Sequence, residues 1–326
     1  PIETRLLPTE ITLQVSKYKE TYEISAQLKL HEKTHDLNDL QIHYGCFLEI
    51  GSSWYLVEKL PVIHIIRTLT RQSGKMIIAG SAFGEFRKQF LDSLENHMPI
   101  TYTFIKKAST RQLAVSDYLE DMEKIIYLTD HGSHVMLIPV MRYSDVEISV
   151  RSNRQVYGRD LKGQEFLVNR DMEAETELIS LLIKQHPDLY EQLENPLDHF
   201  YLHKRKFLDE DWFLPVFEEW GNHHIRIFGF NELEGNKINP GKAQVDIKVH
   251  SGLNWFNASI VVKFGAKKAS LKKVQVAVKN KSKYVELGDG TLGVLPKEWL
   301  QRFEAFFTAG DLTDDELLSI PKDKFS

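Results

Sequence analysis

The chain has 326 residues, of which 42 % are hydrophobic, 11 % aromatic and 27 % charged, and its net charge is −5. This composition is typical of a globular protein of two or three domains and excludes a disordered chain. No apolar run reaches the roughly 18 residues of a membrane-spanning helix, and Cys46 as the only cysteine excludes an internal disulfide and a cysteine-based zinc cluster. We therefore expect a cytoplasmic protein without a membrane partner, and Pro1 in place of Met suggests a piece of a longer polypeptide.

The first third of the sequence is predicted to form β-structure with one helix. Apolar and polar side chains alternate over residues 22–30, the pattern of a half-buried strand. Gly51-Ser52-Ser53 supplies the turn of a hairpin, and large apolar residues recur at helical spacing over 83–96. The predicted strands of this part are 22–30, 42–50, 54–60, 75–79 and 100–105.

The rest of the sequence is predicted to contain three further helices and several strands. Asp171 suits the N-cap of a helix that Pro187 closes, a second helix covers about 210–220, and Pro296 opens a third. Asp289-Gly290 is a strong signal for a two-residue hairpin turn. The predicted strands of this part are 135–140, 146–150, 243–249, 259–264, 275–278, 284–287 and 291–294.

These elements predict an α+β fold of mainly antiparallel β-sheets with several amphipathic helices. Residues 106–130 are polar and mixed in character, so a domain boundary is placed there. The expected domains are a β-rich N-terminal domain with one helix over 1–130 and an α+β domain over 131–326.

Two stretches of the sequence resemble each other, residues 22–61 and residues 256–296. Each reads as strand, connection, strand and hairpin. The likeness reflects either a duplication or two generic meanders that share alternation, and both readings give two similar β-meander modules near the two ends of the chain. The matched pairs are Ser25 with Ser259, Lys29 with Lys263, Leu37 with Leu271, Gln41 with Gln275, Glu49 with Glu286 and Gly51 with Gly288.

Two groups of histidines are candidates for metal sites. Residues 31–35 match H-E-x-x-H, the pattern of zinc proteases, but that chemistry needs a helix and here a strand runs directly into His31. His199, His203 and the adjacent His223-His224 offer four imidazoles that could bind a metal. However, His199 and His203 alternate with apolar residues in strand fashion, which points them to solvent. The sequence therefore predicts an exposed loop and exposed histidines rather than a metal site.

Patterns for nucleophilic catalysis and nucleotide binding are missing from the sequence. It contains no G-x-S-x-G elbow and no phosphate-binding loop ending in Gly-Lys-Ser/Thr. Cys46 alternates with apolar neighbours, as a core residue would. We therefore expect no catalytic residue, no cofactor and no metal, and a chain that is not itself an enzyme.

Positive charge is concentrated late in the chain. Between Gly235 and Lys297 there are 12 lysines, three acidic residues and no arginine, within a chain of net charge −5. Lysine suits sequence-independent contacts with phosphates, whereas the alternative is a solvated face whose lysines keep sheet edges from aggregating. The candidate nucleic-acid contacts are Lys263, Lys267, Lys268, Lys272, Lys273, Lys279, Lys281 and Lys283.

Ordered motifs in the last part of the chain resemble a known family. The motifs are residues 251–256, Phe264-Gly265, 284–290 and 293–300, and upstream of them Val135–Tyr143 and Asn169-Arg170-Asp171 with Glu175. In order and spacing they resemble the bacterial Snf-type helicase-associated region, which in that family lies immediately before the two-lobed ATPase core of bacterial Swi/Snf-like helicases. The resemblance covers about 135–326 and is loose over the first 130 residues.

The resemblance implies an accessory module and not the motor, because the ATPase motifs of the family are absent from this chain. It suggests a non-catalytic accessory or regulatory module of a Swi/Snf-like ATP-dependent DNA translocase. Its partners would be the downstream helicase ATPase lobes of the same polypeptide and, through the lysines, double-stranded DNA. The alternative is a protein-interaction scaffold without nucleic-acid contact. The shared residues are expected to be structural: Gly288 and Gly290 in a turn, Pro296 at a helix entry, Trp255 and Trp299 in packing.

Overall fold

The computed structural model describes residues 3–30, 32–116, 118, 122–252 and 254–322. Two compact units are formed, one by Pro1–Glu123 with Pro139–Ile179 and the other by Lys124–Ile138 with Ser180–Ser326. Each unit combines open β-sheets with helices, so the prediction of an α+β fold is confirmed. The predicted domain boundary at residue 130 stays a prediction.

The first unit begins with ten strands and four helices. The strands are β1 (Glu3–Leu6), β2 (Ile11–Tyr18), β3 (Thr21–Leu30), β4 (Lys33–Asp36), β5 (Gln41–His43), β6 (Phe47–Ile50), β7 (Ser53–Leu56), β8 (Lys75–Ala79), β9 (Ile100–Tyr102) and β10 (Lys106–Lys107). The helices are α1 (Leu60–Arg71), α2 (Gly80–Phe86), α3 (Asp92–Leu94) and α4 (Thr110–Ser116), with a 3-10 turn at Leu37–Asp39 and a π-helical turn at Arg87–Leu91.

The long strand β3 organises what we call the N-terminal module, residues 11–102. It pairs antiparallel with β2, β4 and β8, and β9 pairs in parallel with the outer edge of β2. The buried face of β3 carries Ile24, Ala26 and Leu28, which belong to one apolar core with Ile66 of α1 and Leu91 of the helical segment 80–94. Alternation therefore gives this sheet one buried and one polar face.

The chain then passes through β11 (Met122–His131) and β12 (His134–Tyr143). From Lys124 to Ile138 these strands belong to the second unit, and at Pro139 within β12 the chain returns to the first. β13 (Val146–Ser149) pairs antiparallel with the end of β12, and β14 (Val156–Arg159) pairs antiparallel with β15 (Glu165–Val168). The helix α5 (Met172–Ile183) follows.

A buried ion pair fixes the start of α5. Arg170 donates from Nε and Nη2 to the two carboxylate oxygens of Glu175, at 2.9 and 2.6 Å. Glu175 is 2 % exposed and also accepts a hydrogen bond of 2.6 Å from the hydroxyl of Tyr143. That hydroxyl in turn accepts from the backbone N–H of Asp171 at 2.8 Å. The pair is thus hydrogen-bonded on several sides, the condition under which a buried ion pair is tolerated.

The second unit is completed by short helices, a long helix and a basic β-module. Its further helices are α6 (Pro187–Tyr190), α7 (Lys204–Phe207), α8 (Glu210–Asn222), α9 (Leu271–Lys279) and α10 (Lys297–Ala309). Its further strands are β16 (Phe200–His203), β17 (Ile225–Phe228), β18 (Ala243–Ser251), β19 (Trp255–Phe264), β20 (Lys267–Ala269), β21 (Tyr284–Glu286), β22 (Leu292–Val294), β23 (Asp311–Leu312) and β24 (Leu317–Pro321).

The strand β19 organises what we call the C-terminal module, residues 243–321. It pairs antiparallel with β18, β20 and β24. Its buried residues Val262 and Phe264 share a core with Val274 of α9 and Phe303 of α10. Both helices therefore lie on the core side of this sheet.

The two modules share their strand register. The pairings of β2, β3 and β4 become those of β18, β19 and β20 after one constant shift of 234 positions, so that Val15 opposite Ile24 corresponds to Val249 opposite Ala258. β8 corresponds to β24 after a shift of 242. The predicted similarity of the two β-meander modules is confirmed. A register kept over three pairings favours duplication, because alternation alone decides which face a side chain takes and not which positions of two strands lie opposite each other.

Several predicted elements differ from the structure. Residues 42–50, predicted as one strand, contain a turn at 44–46 between β5 and β6, which pair antiparallel. Residues 275–278, predicted as a strand, belong to the helix α9, whose buried side is Leu271, Val274 and Ala277 at spacings of three. Residues 54–60, predicted as one strand, end at Leu56, and the unpredicted helix α1 begins at Leu60. The β-branched Val276 and Val278 suggested a strand at 275–278, whereas tertiary packing selects the helix α9 there. None of the helices in the described part is long and apolar enough to cross a bilayer.

Replacing Glu175 by Ala tests the ion pair at the start of α5. The Arg170 guanidinium would lose its buried carboxylate, so we expect the free energy of unfolding to fall by about 3–5 kcal/mol, measured by urea denaturation. Glu173→Ala is the matched control, since Glu173 is exposed in the same first turn. Equal losses in the two variants would contradict a special role for the pair.

Candidate nucleic-acid interface

Two of the eight candidate lysines lie opposite each other in one hairpin. Lys263 of β19 and Lys268 of β20 are register partners and both are exposed. Their neighbours Val262 and Phe264 are buried, so Lys263 projects from the polar face of the sheet. Two like charges directly opposite each other destabilise a hairpin. An anion placed between them would remove that repulsion.

Three more lysines lie on a helix rather than on the sheet. Lys272 and Lys273 lie in the first turn of α9 and Lys279 is its last residue, and all three are exposed. Because α9 packs on the core side of β19, these side chains do not continue the surface formed by Lys263 and Lys268. The predicted single lysine-rich sheet is therefore wrong in its geometry. The structure divides the positive charge between a sheet face and a helix.

Two of the lysines are engaged in exposed ion pairs. Lys267 lies 3.4 Å from Asp289, and Lys273 lies 3.0 Å from Glu286. Exposed pairs of this kind contribute little to stability. Both lysines thus remain available for exchange with another anion.

Lys283 is held more firmly than the other seven. It forms an ion pair with Glu210 at the start of α8, and the hydroxyl of Tyr284 donates to the same carboxylate at 2.9 Å. Although burial works in the opposite direction, the hydrogen bonds from Lys283 and Tyr284 hold the pKa of Glu210 below its usual value. Lys283 is also the only one of the eight that is half-buried. The contact of Lys283 with Glu210 therefore indicates a structural role.

Four lysines have no acidic partner within the residues that the structure describes: Lys263, Lys268, Lys279 and Lys281. Lys272 contacts Glu316 through its backbone N–H and through an electrostatic interaction with the carboxylate, which also accepts a hydrogen bond from the hydroxyl of Ser270. Sequence reasoning could not make this division, because the acidic partners lie up to 73 positions away along the chain, as Glu210 does from Lys283.

A second polar feature lies in the first unit and was not predicted. It is a cavity of about 770 Å³ lined in part by Arg87, Glu95 and Tyr157. Arg87 begins the π-helical turn and donates to Glu165 at 2.7 Å. Its guanidinium carbon lies 4.5 Å from the ring centroid of Tyr102 and 4.9 Å from that of Tyr157. Such π-helical turns often lie at functional sites.

A protonatable carboxyl lies beside this arginine. Glu95 is 2 % exposed and accepts a hydrogen bond of 2.9 Å from the hydroxyl of Tyr157. Burial raises the pKa of Glu95 to about 7, and the hydrogen bond from Tyr157 offsets only part of that rise. The Tyr102 hydroxyl is buried without a hydrogen-bond partner among the described residues. Glu95 follows Leu91 by four positions, so helical spacing alone could have placed it on the buried side.

The histidine motifs do not form a metal site in the described part of the chain. Residues 33–35 of the H-E-x-x-H stretch lie in strand β4, and His31 lies outside the described residues. His203 is half-buried and accepts from the backbone N–H of Arg205 at 3.2 Å, so it is less exposed than predicted. In the residues described, no group of three His, Cys, Asp or Glu side chains could hold an ion.

The sequence matches the family described as bacterial SNF2 helicase associated over residues 2–324, almost the whole chain. The chain belongs to this family. The family is defined by its association with helicases and is not the catalytic ATPase domain. A search among curated proteins gave no significant match. The predicted family resemblance is confirmed and extends over the first 130 residues, where only a loose likeness is expected from the motifs.

The family motifs of the C-terminal module have mostly structural roles. Gly290 has a positive φ of 83° in the turn between β21 and β22. A Cβ atom on Gly293 would lie 2.7 Å from the ring of Phe264, so the core leaves no room for a side chain there. Trp299 packs with Phe303 as expected, whereas Trp255 is 46 % exposed and its predicted packing role is wrong.

Glu95→Gln tests the buried carboxyl. With a folded-state pKa of about 7 against 4.5 for the free group, the folded chain binds the proton more tightly than the unfolded chain, so stability falls as pH rises from 4.5 through 7 and then levels off. Gln cannot ionise, so we expect the variant to lose this dependence, which amounts to roughly 3 kcal/mol. Urea denaturation at pH 5 and pH 8 measures it.

The control for this experiment is Glu85→Gln, at an exposed position of the preceding helix. It should retain the dependence of the parent chain. A Glu95→Gln variant that loses stability between pH 5 and pH 8 as the parent does would contradict the raised pKa.

Proposed function

We propose that this chain is a non-catalytic accessory and regulatory module of a Swi/Snf-like ATP-dependent DNA translocase. Its membership of the helicase-associated family supports the connection to such a motor. In this proposal its first partner is the pair of helicase ATPase lobes of the same polypeptide. Its second partner is duplex DNA, bound without sequence preference through the exposed lysines.

The observation that carries the DNA contact is the pair Lys263 and Lys268. They are opposite each other on the polar face of a hairpin, exposed, and without an acidic partner in the described ranges. A phosphate group would relieve their repulsion and is the anion that lysine meets as a point charge. The bidentate recognition of guanine is typical of arginine, and the sequence between Gly235 and Lys297 contains none. Binding is therefore expected to be electrostatic and strongly dependent on salt.

A protein-interaction scaffold without nucleic-acid contact is the second candidate. It is favoured by the ion pairs that already engage Lys267, Lys273 and Lys283 within the unit. In that case the remaining lysines keep an exposed sheet edge soluble. The two candidates differ in one observable, the affinity for random-sequence duplex at low salt.

The variant carrying Lys263→Gln and Lys268→Gln tests the DNA contact. Affinity for a random duplex should fall, and the slope of log affinity against log salt should become smaller by about 0.9 for each phosphate that the variant no longer neutralises. Fluorescence anisotropy across a salt series measures both quantities.

The matched control removes two charges from the corresponding hairpin of the N-terminal module. Lys29→Gln with Lys33→Gln changes exposed lysines of β3 and β4 at the same strand positions as Lys263 and Lys267. This control should leave affinity and slope unchanged. An equal effect of both pairs would reject a specific lysine surface, and no binding by the parent chain at low salt would leave the scaffold.

A further inference from the structure

An apolar cleft of about 370 Å³ opens on the C-terminal module. It is formed by alternate residues of three strands together with Phe306 of α10, and Val249 at its rim is 61 % exposed. A contiguous exposed apolar surface on a soluble domain indicates an interaction site. The strand residues that line it include Ile247, Val249, Phe256, Ala258, Leu318 and Ile320.

The part of this face that β2 contributes is covered in the N-terminal module. Under the shared register, Ile247 and Val249 correspond to Leu13 and Val15, both of which have 0 % exposure. Two things cover them. The helical segment 80–94 contributes to their apolar core, and β9 pairs in parallel along the outer edge of β2.

The correspondence between the modules extends to the residue where that cover begins. The backbone N–H of Gly80, the first residue of α2, donates to the carbonyl of Glu20 at 2.6 Å. The backbone N–H of Lys322 donates to the carbonyl of Asn254 at 3.1 Å. Lys322 follows Gly80 by 242 positions and Asn254 follows Glu20 by 234 positions, which are the shifts that relate the strands of the two modules. Lys322 thus occupies the place at which the covering helix starts.

Lys322 also lies beside the cleft. The ammonium nitrogen of Lys322 lies 5.2 Å from the ring centroid of Phe256, one of the cleft residues. On the free edge of β18, the N–H of Ile247 corresponds to that of Leu13, which donates to the carbonyl of Pro99 at 3.0 Å. Both the apolar side chains and an outward-facing backbone donor are therefore in place for a covering segment.

We propose that this cleft is the docking groove of the residues that follow Ser326 in the natural polypeptide. They form an amphipathic helix, the counterpart of residues 80–94, and then a short strand that pairs in parallel with β18. The helix covers the apolar cleft, and the strand forms backbone hydrogen bonds with the outward-facing groups of β18. This inference does not depend on DNA contact.

Hydrogen exchange followed by NMR tests the docking. The 326-residue chain is compared with the natural polypeptide extended by a segment as long as residues 80–103. The amides of Ile247 and Val249 should exchange at least about tenfold more slowly in the longer chain, while that of Ser319, inside the sheet, should not change. Equal exchange in both chains, or a continuation that contains no helix and strand, would overturn the proposal.

Two variants of the longer chain locate the contact. Val249→Glu puts a charge into the cleft and should abolish the added protection, whereas Lys248→Glu, on the opposite face of β18, should preserve it. Because both residues are exposed in the 326-residue chain, its thermal midpoint should not change with either substitution. Protection that survives Val249→Glu would overturn the proposal. Protection of the shorter chain that increases with protein concentration would indicate a second copy of the chain in the groove, and it would also overturn the proposal.

Discussion

The pairing of one long central strand with three neighbours is the constraint on which both modules depend. In β3 and β19 the antiparallel ladders fix the register, and the register decides which side chains face the core. A slip of one residue would turn every apolar side chain to solvent. One face of each sheet must consequently be covered, and the helices of each module lie where that face requires them.

Buried and exposed charged side chains have different roles in this fold. The buried pair of Arg170 and Glu175 is surrounded by hydrogen bonds and positions a helix start. Apart from the half-buried Lys283, the lysines of the C-terminal module are exposed, and salt and counterions screen them. Glu95 lies between these cases, since it is buried beside the Arg87 cation and forms no direct ion pair with any residue that the structure describes. An accessory role for the family is compatible with this distribution, in which the charges stabilise the fold or meet an external anion.

Local patterns predicted much of the fold. Alternation found β3 and β18, Asp289-Gly290 found the hairpin of β21 and β22, and Pro296 found the entry to α10. The valines of 275–278 misled because they satisfy the helical spacing of α9 and also resemble a strand. The candidate site was less accessible to prediction. A run of lysines shows where charge is concentrated, but only the tertiary structure separates Lys263 from Lys283 or gathers Arg87 and Glu95 around a cavity.

The central claim, a common register in the two modules, is tested most directly by disulfide formation. Bonded and non-bonded pairs alternate along antiparallel strands, and the bonds made by Gly80 and Lys322 place Ser25 with Lys75, and Ser259 with Leu317, in non-bonded pairs. Their Cα atoms then lie about 4.5 Å apart, within reach of a disulfide.

Cysteine pairs at these two positions, introduced after Cys46→Ser, should both oxidise readily, with the bonds located by mass spectrometry. A pair that combines Ser259→Cys with Leu318→Cys should not, because Leu318 faces the core. Ready oxidation of this slipped pair, together with failure of the Ser259 and Leu317 positions, would contradict the common register.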